Sequence, residues 1–103
     1  MNIGYFDHRR LTKRFLCFLS GRYTTAENIC AELGCEDISK KGARVLTAEP
    51  LPVDSHFSFD VTTTKMSLLP LEGRVRWCNK TVHGYRSGIA FDRELTFNVR
   101  SII

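Results

Sequence analysis

Two stretches of this chain read strictly in twos, and that period limits the folds open to it. Phe57, Phe59 and Val61 alternate with His56, Ser58 and Asp60, while Leu71, Gly73, Val75 and Trp77 alternate with Glu72, Arg74 and Arg76. Successive side chains of a strand point to opposite faces, so this pattern predicts strands with one face buried and one wet. Ile29, Ala31 and Leu33 predict a further strand, as do Ile89 with Phe91, Ala43 to Leu46, and Phe15 to Leu19. In this reading Trp77 shares the core face of Val75 and Leu71 and is a core residue ahead of a base-stacking platform, while Arg74 and Arg76 on the opposite face keep the strand soluble ahead of extending the basic surface.

Turn signals separate these segments: Gly21 with Thr24 and Thr25, Gly42, Pro50 to Asp54, Thr62 to Lys65, and Asn79 to Gly84. Short strands joined by hairpin-length connections, without intervening helices, predict an all-β antiparallel barrel or sandwich. Closure into a barrel removes the exposed edges that an open sheet must protect. Near the end the period changes. Leu95, Val99, Ile102 and Ile103 follow helical spacing, with Asp92 as the N-cap and Glu94 in the first turn, so a short C-terminal helix is expected over 93–103. At 103 residues there is material for one core. The division expected is a basic arm, 1–14, and a single barrel domain with its helix, 15–103.

Several functions lose support at this point. No apolar run approaches the roughly 20 residues of a membrane-crossing helix, and the N-terminus lacks the order of a secretion signal, so a cytoplasmic protein without membrane insertion is expected. Cys17, Cys30, Cys35 and Cys78 show no metal-ligand spacing and read as free, mostly buried thiols. His8, His56 and His83 are scattered with no paired carboxylate or nucleophile pattern, so no catalytic residues are expected, and no metal site or cofactor either.

Charge is more informative. The net charge is +4, and much of it lies in the arm, where Arg9, Arg10, Lys13 and Arg14 outweigh Asp7. Such a patch suits an anionic partner. Arg10 and Arg14 form R-x-x-x-R, two guanidinium forks able to bind phosphate, take the O6 and N7 edge of guanine, or stack on a ring. A solvated basic tail would show the same pattern. Further on, Asp37, Ser39 and Gly42 form D-x-S-x-x-G. With Ile38 inward, Asp37 and Ser39 face the other way together. The carboxylate could accept from guanine N1 and N2, the hydroxyl could donate to phosphate, and Gly42 could supply a positive-φ turn and a close ligand approach. Asp and Ser satisfying their own backbone is the competing reading. Lys40 and Lys41, in the same turn, would attract phosphate without fixing it.

Together, R-x-x-x-R followed by D-x-S-x-x-G in an all-β chain of this length resembles the PilZ domain, the bacterial receptor module for cyclic di-GMP. GRVRW at 73–77 and GYRSGIAF at 84–91 also look like strands of that family. The resemblance implies a six-stranded antiparallel barrel with a C-terminal helix and the ligand on its outer surface under the N-terminal arm. It further implies that Arg10 and Arg14 contact phosphate and guanine, that Asp37 reads a guanine edge, that Ser39 touches phosphate or ribose, and that Gly42 holds the turn. Arg9 would be an auxiliary contact. The implied function is a cyclic di-GMP receptor whose arm rearranges to signal to a downstream protein. Two alternatives stay open: a small basic barrel for single-stranded nucleic acid, and a PilZ-like adaptor that binds only protein. The first is disfavoured because the charge sits in an arm and not in a groove lined with aromatics.

Overall fold

The computed structural model describes residues 15–103, with side chains from Leu16 onward; the expected arm, including Arg9, Arg10 and Arg14, lies outside the described residues. Six strands follow in order: β1 (Phe15–Thr24), β2 (Cys30–Ile38), β3 (Gly42–Thr47), β4 (His56–Thr62), β5 (Leu68–Thr81) and β6 (Gly84–Phe91). All neighbouring pairs are antiparallel, and the sheet closes as β1-β2-β3-β6-β5-β4. Every strand is therefore paired on both sides: of the barrel or sandwich that the alternation and short turns left open, the chain forms the six-stranded barrel that the resemblance implied.

Alternation builds the interior. Phe57, Phe59 and Val61 of β4 lie beside Leu71 and Val75 of β5 in the core, which Ile38, Val45 and Ile89 of β2, β3 and β6 complete. Burying each such side chain contributes roughly 1.5–3 kcal/mol relative to leaving it exposed. Tyr23, Phe57 and Phe59 form a ring cluster with centroids 5.3 and 5.2 Å apart.

Several connections differ from the sequence reading. Gly21 is a strand residue, not a turn: its missing Cβ leaves room for the Asp60 carbonyl and Leu33. The β1–β2 turn instead uses Asn28 at φ 66°, with Ile29 exposed at its end and not in the core. The β5–β6 hairpin pairs Thr81 with Gly84, whose φ of 133° suits glycine. Of the cysteines, Cys35 is buried, Cys17 and Cys78 are half-buried, and Cys30 is exposed.

The expected helix over 93–103 is a single 3-10 turn, Val99–Ser101, capped by Asn98, whose side chain accepts from the Arg100 N–H. Thr96, Phe97 and Asn98 are poor helix formers. That path lets the Leu95 N–H reach the Lys40 carbonyl at 2.9 Å and the Thr64 N–H reach the Ile102 carbonyl at 3.2 Å. Val99 is buried, and Leu95, Ile102 and Ile103 pack against the core, so the tail covers the barrel as the helix was expected to do.

Candidate functional site

The carboxylate end of β2 is built by a bulge. The β2–β3 register shifts between Cys35 and Asp37, which leaves Cys35 inward, Glu36 and Asp37 consecutively outward, and Ile38 inward again. Arginines on the neighbouring strands meet the paired acids. Arg86 Nε and Nη2 donate to the two Glu36 oxygens at 2.6 and 3.1 Å, and Arg44 Nη2 lies 3.2 Å from Asp37 Oδ2. The hydrogen bond from Arg86 holds the Glu36 carboxyl below its ordinary range, against an opposing effect of burial. Asp37 does face away from Ile38, but it is only 3% exposed.

Ser39 and Gly42 close the turn that follows. Ser39 Oγ accepts from the Lys41 and Gly42 N–H groups, each at 3.2 Å, and its own N–H donates to the Gly42 carbonyl at 2.8 Å. The hydroxyl is thus committed to turn chemistry. Gly42 is needed for a different reason from the one expected. Its φ is not in the positive region; a Cβ there would collide with the Ile89 carbonyl of β6. The glycine makes room for a neighbouring strand, and β6 in turn holds the turn through the Phe91 N–H and the Lys41 carbonyl, 2.8 Å apart. Lys40 and Lys41 remain exposed.

Across the sheet these residues fall in one line. Leu16 pairs with Asp37, Asp37 with Arg44, Arg44 with Gly88, and Gly88 with Trp77. The strand that follows Arg14 in sequence therefore runs directly beside the D-x-S-x-x-G segment, while Trp77 stands at the far end of the row.

A family model for the PilZ domain matches residues 8–103. The chain belongs to the PilZ domain family. Among solved structures, this PilZ barrel is similar to YcgR from Escherichia coli in complex with c-di-GMP (18% identity, TM-score 0.68), covering 90% of this chain and 41% of that one. It is similar to the Bacillus subtilis inhibitor of motility, MotI/DgrA (15% identity, TM-score 0.68), covering 87% of this chain and 45% of that one. A PilZ domain of Escherichia coli YcgR with c-di-GMP matches at 16% identity and a TM-score of 0.65, covering 90% and 82% respectively. The chain thus spans less than half the length of the first two. At these identities the likeness is one of fold. A comparison with curated proteins finds no match.

Three residues of this PilZ face were missed from sequence. Trp77 was expected in the core, yet it is 39% exposed. A register shift between Val75 and Trp77 puts Arg76 and Trp77 both outward, and the indole lies against Gly88, where a Cβ would clash with it. Arg44 and Arg86 went unnoticed because each reads as an ordinary outward strand residue. The usable signal was their pairing with two adjacent acids, which requires the register. No helix among the described residues is long and apolar enough to cross a membrane.

Proposed function

We propose that this PilZ domain is a receptor for cyclic di-GMP and not an enzyme. The ligand lies over the Asp37–Arg44–Gly88–Trp77 row, with Arg10 and Arg14 closing from the arm and Arg9 assisting. Asp37 accepts from a guanine edge, Ser39 and Gly42 shape the turn beneath a phosphate, and Trp77 offers a ring face for stacking. The observation that carries this reading is the row itself, which aligns an acid, an arginine, a flat glycine floor and an exposed indole beside the strand entered from Arg14. Arg44 joins the two acids of the row, with Nη2 3.2 Å from Asp37 Oδ2 and Nε 3.8 Å from Glu36 Oε1, so its guanidinium brings positive charge to the face where the phosphates would lie. Binding draws the arm onto the barrel and presents a new surface to a downstream protein.

Calorimetric titration with cyclic di-GMP at physiological salt, with GTP and a short single-stranded DNA as controls, tests this. Saturable binding to cyclic di-GMP alone is expected. Charge-assisted hydrogen bonds contribute about 1.5–3 kcal/mol, so Arg10→Ala or Arg14→Ala weakens it by about 10- to 100-fold. Unchanged affinity in both variants rejects the geometry.

The commitment of the Ser39 hydroxyl to its own turn favours a second reading, a PilZ adaptor that binds only protein. A folded sample with no nucleotide response, and a partner captured equally with or without nucleotide, would establish that alternative.

A further inference from the structure

Three side chains from separate elements converge outside the row described above. His56 opens β4, Glu72 lies in β5, and Asp92 follows β6. His56 Nε2 is 3.3 Å from Glu72 Oε1 and 3.4 Å from Asp92 Oδ2, and the three donor atoms all lie within 4.8 Å of one another. The backbone sets this approach independently of the side chains. Glu72 pairs with Ser58 and Arg74 with His56, and the Asp92 N–H donates to the Glu72 carbonyl at 3.2 Å. Arg74, the nearest cation in the ladder, turns away to the Asp54 carbonyl.

His56 Nε2 and Glu72 Oε1 are within hydrogen-bond distance, but one such bond does not account for both carboxylates. Charge-assisted N–H···O bonds shorten to about 2.7–2.9 Å, and both contacts here are longer. Nε2 carries at most one proton, yet it faces two carboxylates, which also repel each other. A tetrahedral divalent cation with nitrogen and oxygen ligands at about 2.0–2.2 Å needs donor atoms roughly 3.3–3.6 Å apart. Both observed nitrogen-to-oxygen separations meet that requirement. A cation would use the imidazole lone pair and turn the repulsion between the acids into attraction.

The geometry points to a surface site for a divalent first-row cation of the zinc type, with His56, Glu72 and Asp92 as ligands and water completing the shell. Imidazole with carboxylates is a donor set for such ions, and Zn²⁺ and its neighbours bind it more tightly than Mn²⁺. The side chains are 52%, 65% and 47% exposed, which leaves the remaining position open to solvent. The bound ion would join the start of β4 to the end of β6 across β5. Asp92 directly follows Phe91, whose N–H holds the Lys41 carbonyl, so the ion would also stiffen the support of the Ser39–Gly42 turn.

The test is calorimetric titration of the EDTA-stripped full chain with ZnCl₂ in a non-chelating buffer under a non-thiol reductant, followed by Co²⁺ spectroscopy. The expected result is one saturable site, weakened by about tenfold or more, the scale of losing one good ligand, in His56→Ala and in the pair Glu72→Gln with Asp92→Asn. The Co²⁺ spectrum should show nitrogen and oxygen ligation without a thiolate charge-transfer band. Because all three side chains are half exposed, the variants should melt in EDTA as the wild type does. Absence of saturable binding, retention of full affinity in His56→Ala, or a thiolate band would overturn the assignment.

Discussion

Strands β4 and β5 lie side by side and share a wall of the core, yet they treat their side chains differently. In β4 the alternation runs unbroken: Phe57, Phe59 and Val61 are buried, and the residues between them are not. In β5 it holds through Val75 and then slips, so that Arg76 and Trp77 both face out. The same event occurs in β2, where Glu36 and Asp37 face out together. A regular strand spends its large side chains on the core; a bulged one releases them to the surface without leaving the barrel. The candidate ligand row runs from the bulge of β2 to the bulge of β5 through the β3 and β6 residues between them, and β1 beside it carries a third register shift, between Leu16 and Leu19.

The sharpest way to break this comparison is to truncate one aromatic residue on each strand. Phe59→Ala, at 3% exposure, should cost about 3–5 kcal/mol of stability in urea melts. Trp77→Ala should cost much less, about 1 kcal/mol, because its ring is already partly hydrated. Equal losses would mean that Trp77 is a core residue after all. On the binding side the order reverses. Trp77→Ala should weaken cyclic di-GMP by about 1–3 kcal/mol, the usual value of stacking a base on an aromatic ring, measured by calorimetry. Loss of affinity in a well-folded Trp77→Ala protein would sharpen the division between the strands.

The parts of the fold written in local pattern were legible in advance. The alternation of Phe57 to Val61 and Leu71 to Val75 specified the strands, and their short connections pointed to an antiparallel barrel or sandwich; the closed six-stranded form came from the family resemblance. The turn from Ser39 to Gly42, with Asp37 in the strand end before it, was legible, although Gly42 proved to serve the approach of β6. The bulges were not legible. Nothing in the hydropathy of Cys35 to Ile38 or Val75 to Trp77 marks an extra residue, because a bulge is defined by the partner strand. Arg44, Arg86 and the exposure of Trp77 were therefore hidden with them. The helix over 93–103 failed for a similar reason. Its apolar spacing was real and its residues do cover the core, but hydrogen bonds from Leu95 and Thr64 to distant partners favour an extended path.

A smaller effect concerns the acids released by the β2 bulge. Arg86 lowers the Glu36 pKa below its ordinary value of 4.5. A carboxylate depressed in the folded state contributes stability that is present above its unfolded value and lost as pH falls through the folded one. The wild type should therefore lose stability relative to Glu36→Gln as pH drops below about 4.5. The difference, after solvent screening, should be about 0.5–1 kcal/mol. Parallel stability curves for the two proteins across acid pH would show that the Arg86 pair is energetically silent.

Trp77 is the sole tryptophan of the chain, so its emission reports directly on the face where the ligand is proposed to lie. The decisive measurement is a fluorescence titration with cyclic di-GMP, run in parallel on the wild type and Asp37→Ala. The expected result is saturable quenching of the wild type, shifted about 10- to 100-fold to higher ligand in the variant, as loss of a charged hydrogen-bond acceptor requires. Binding heat from a folded protein whose Trp77 emission stays unchanged, or equal affinity in both proteins, would contradict a ligand seated on the Asp37–Trp77 row.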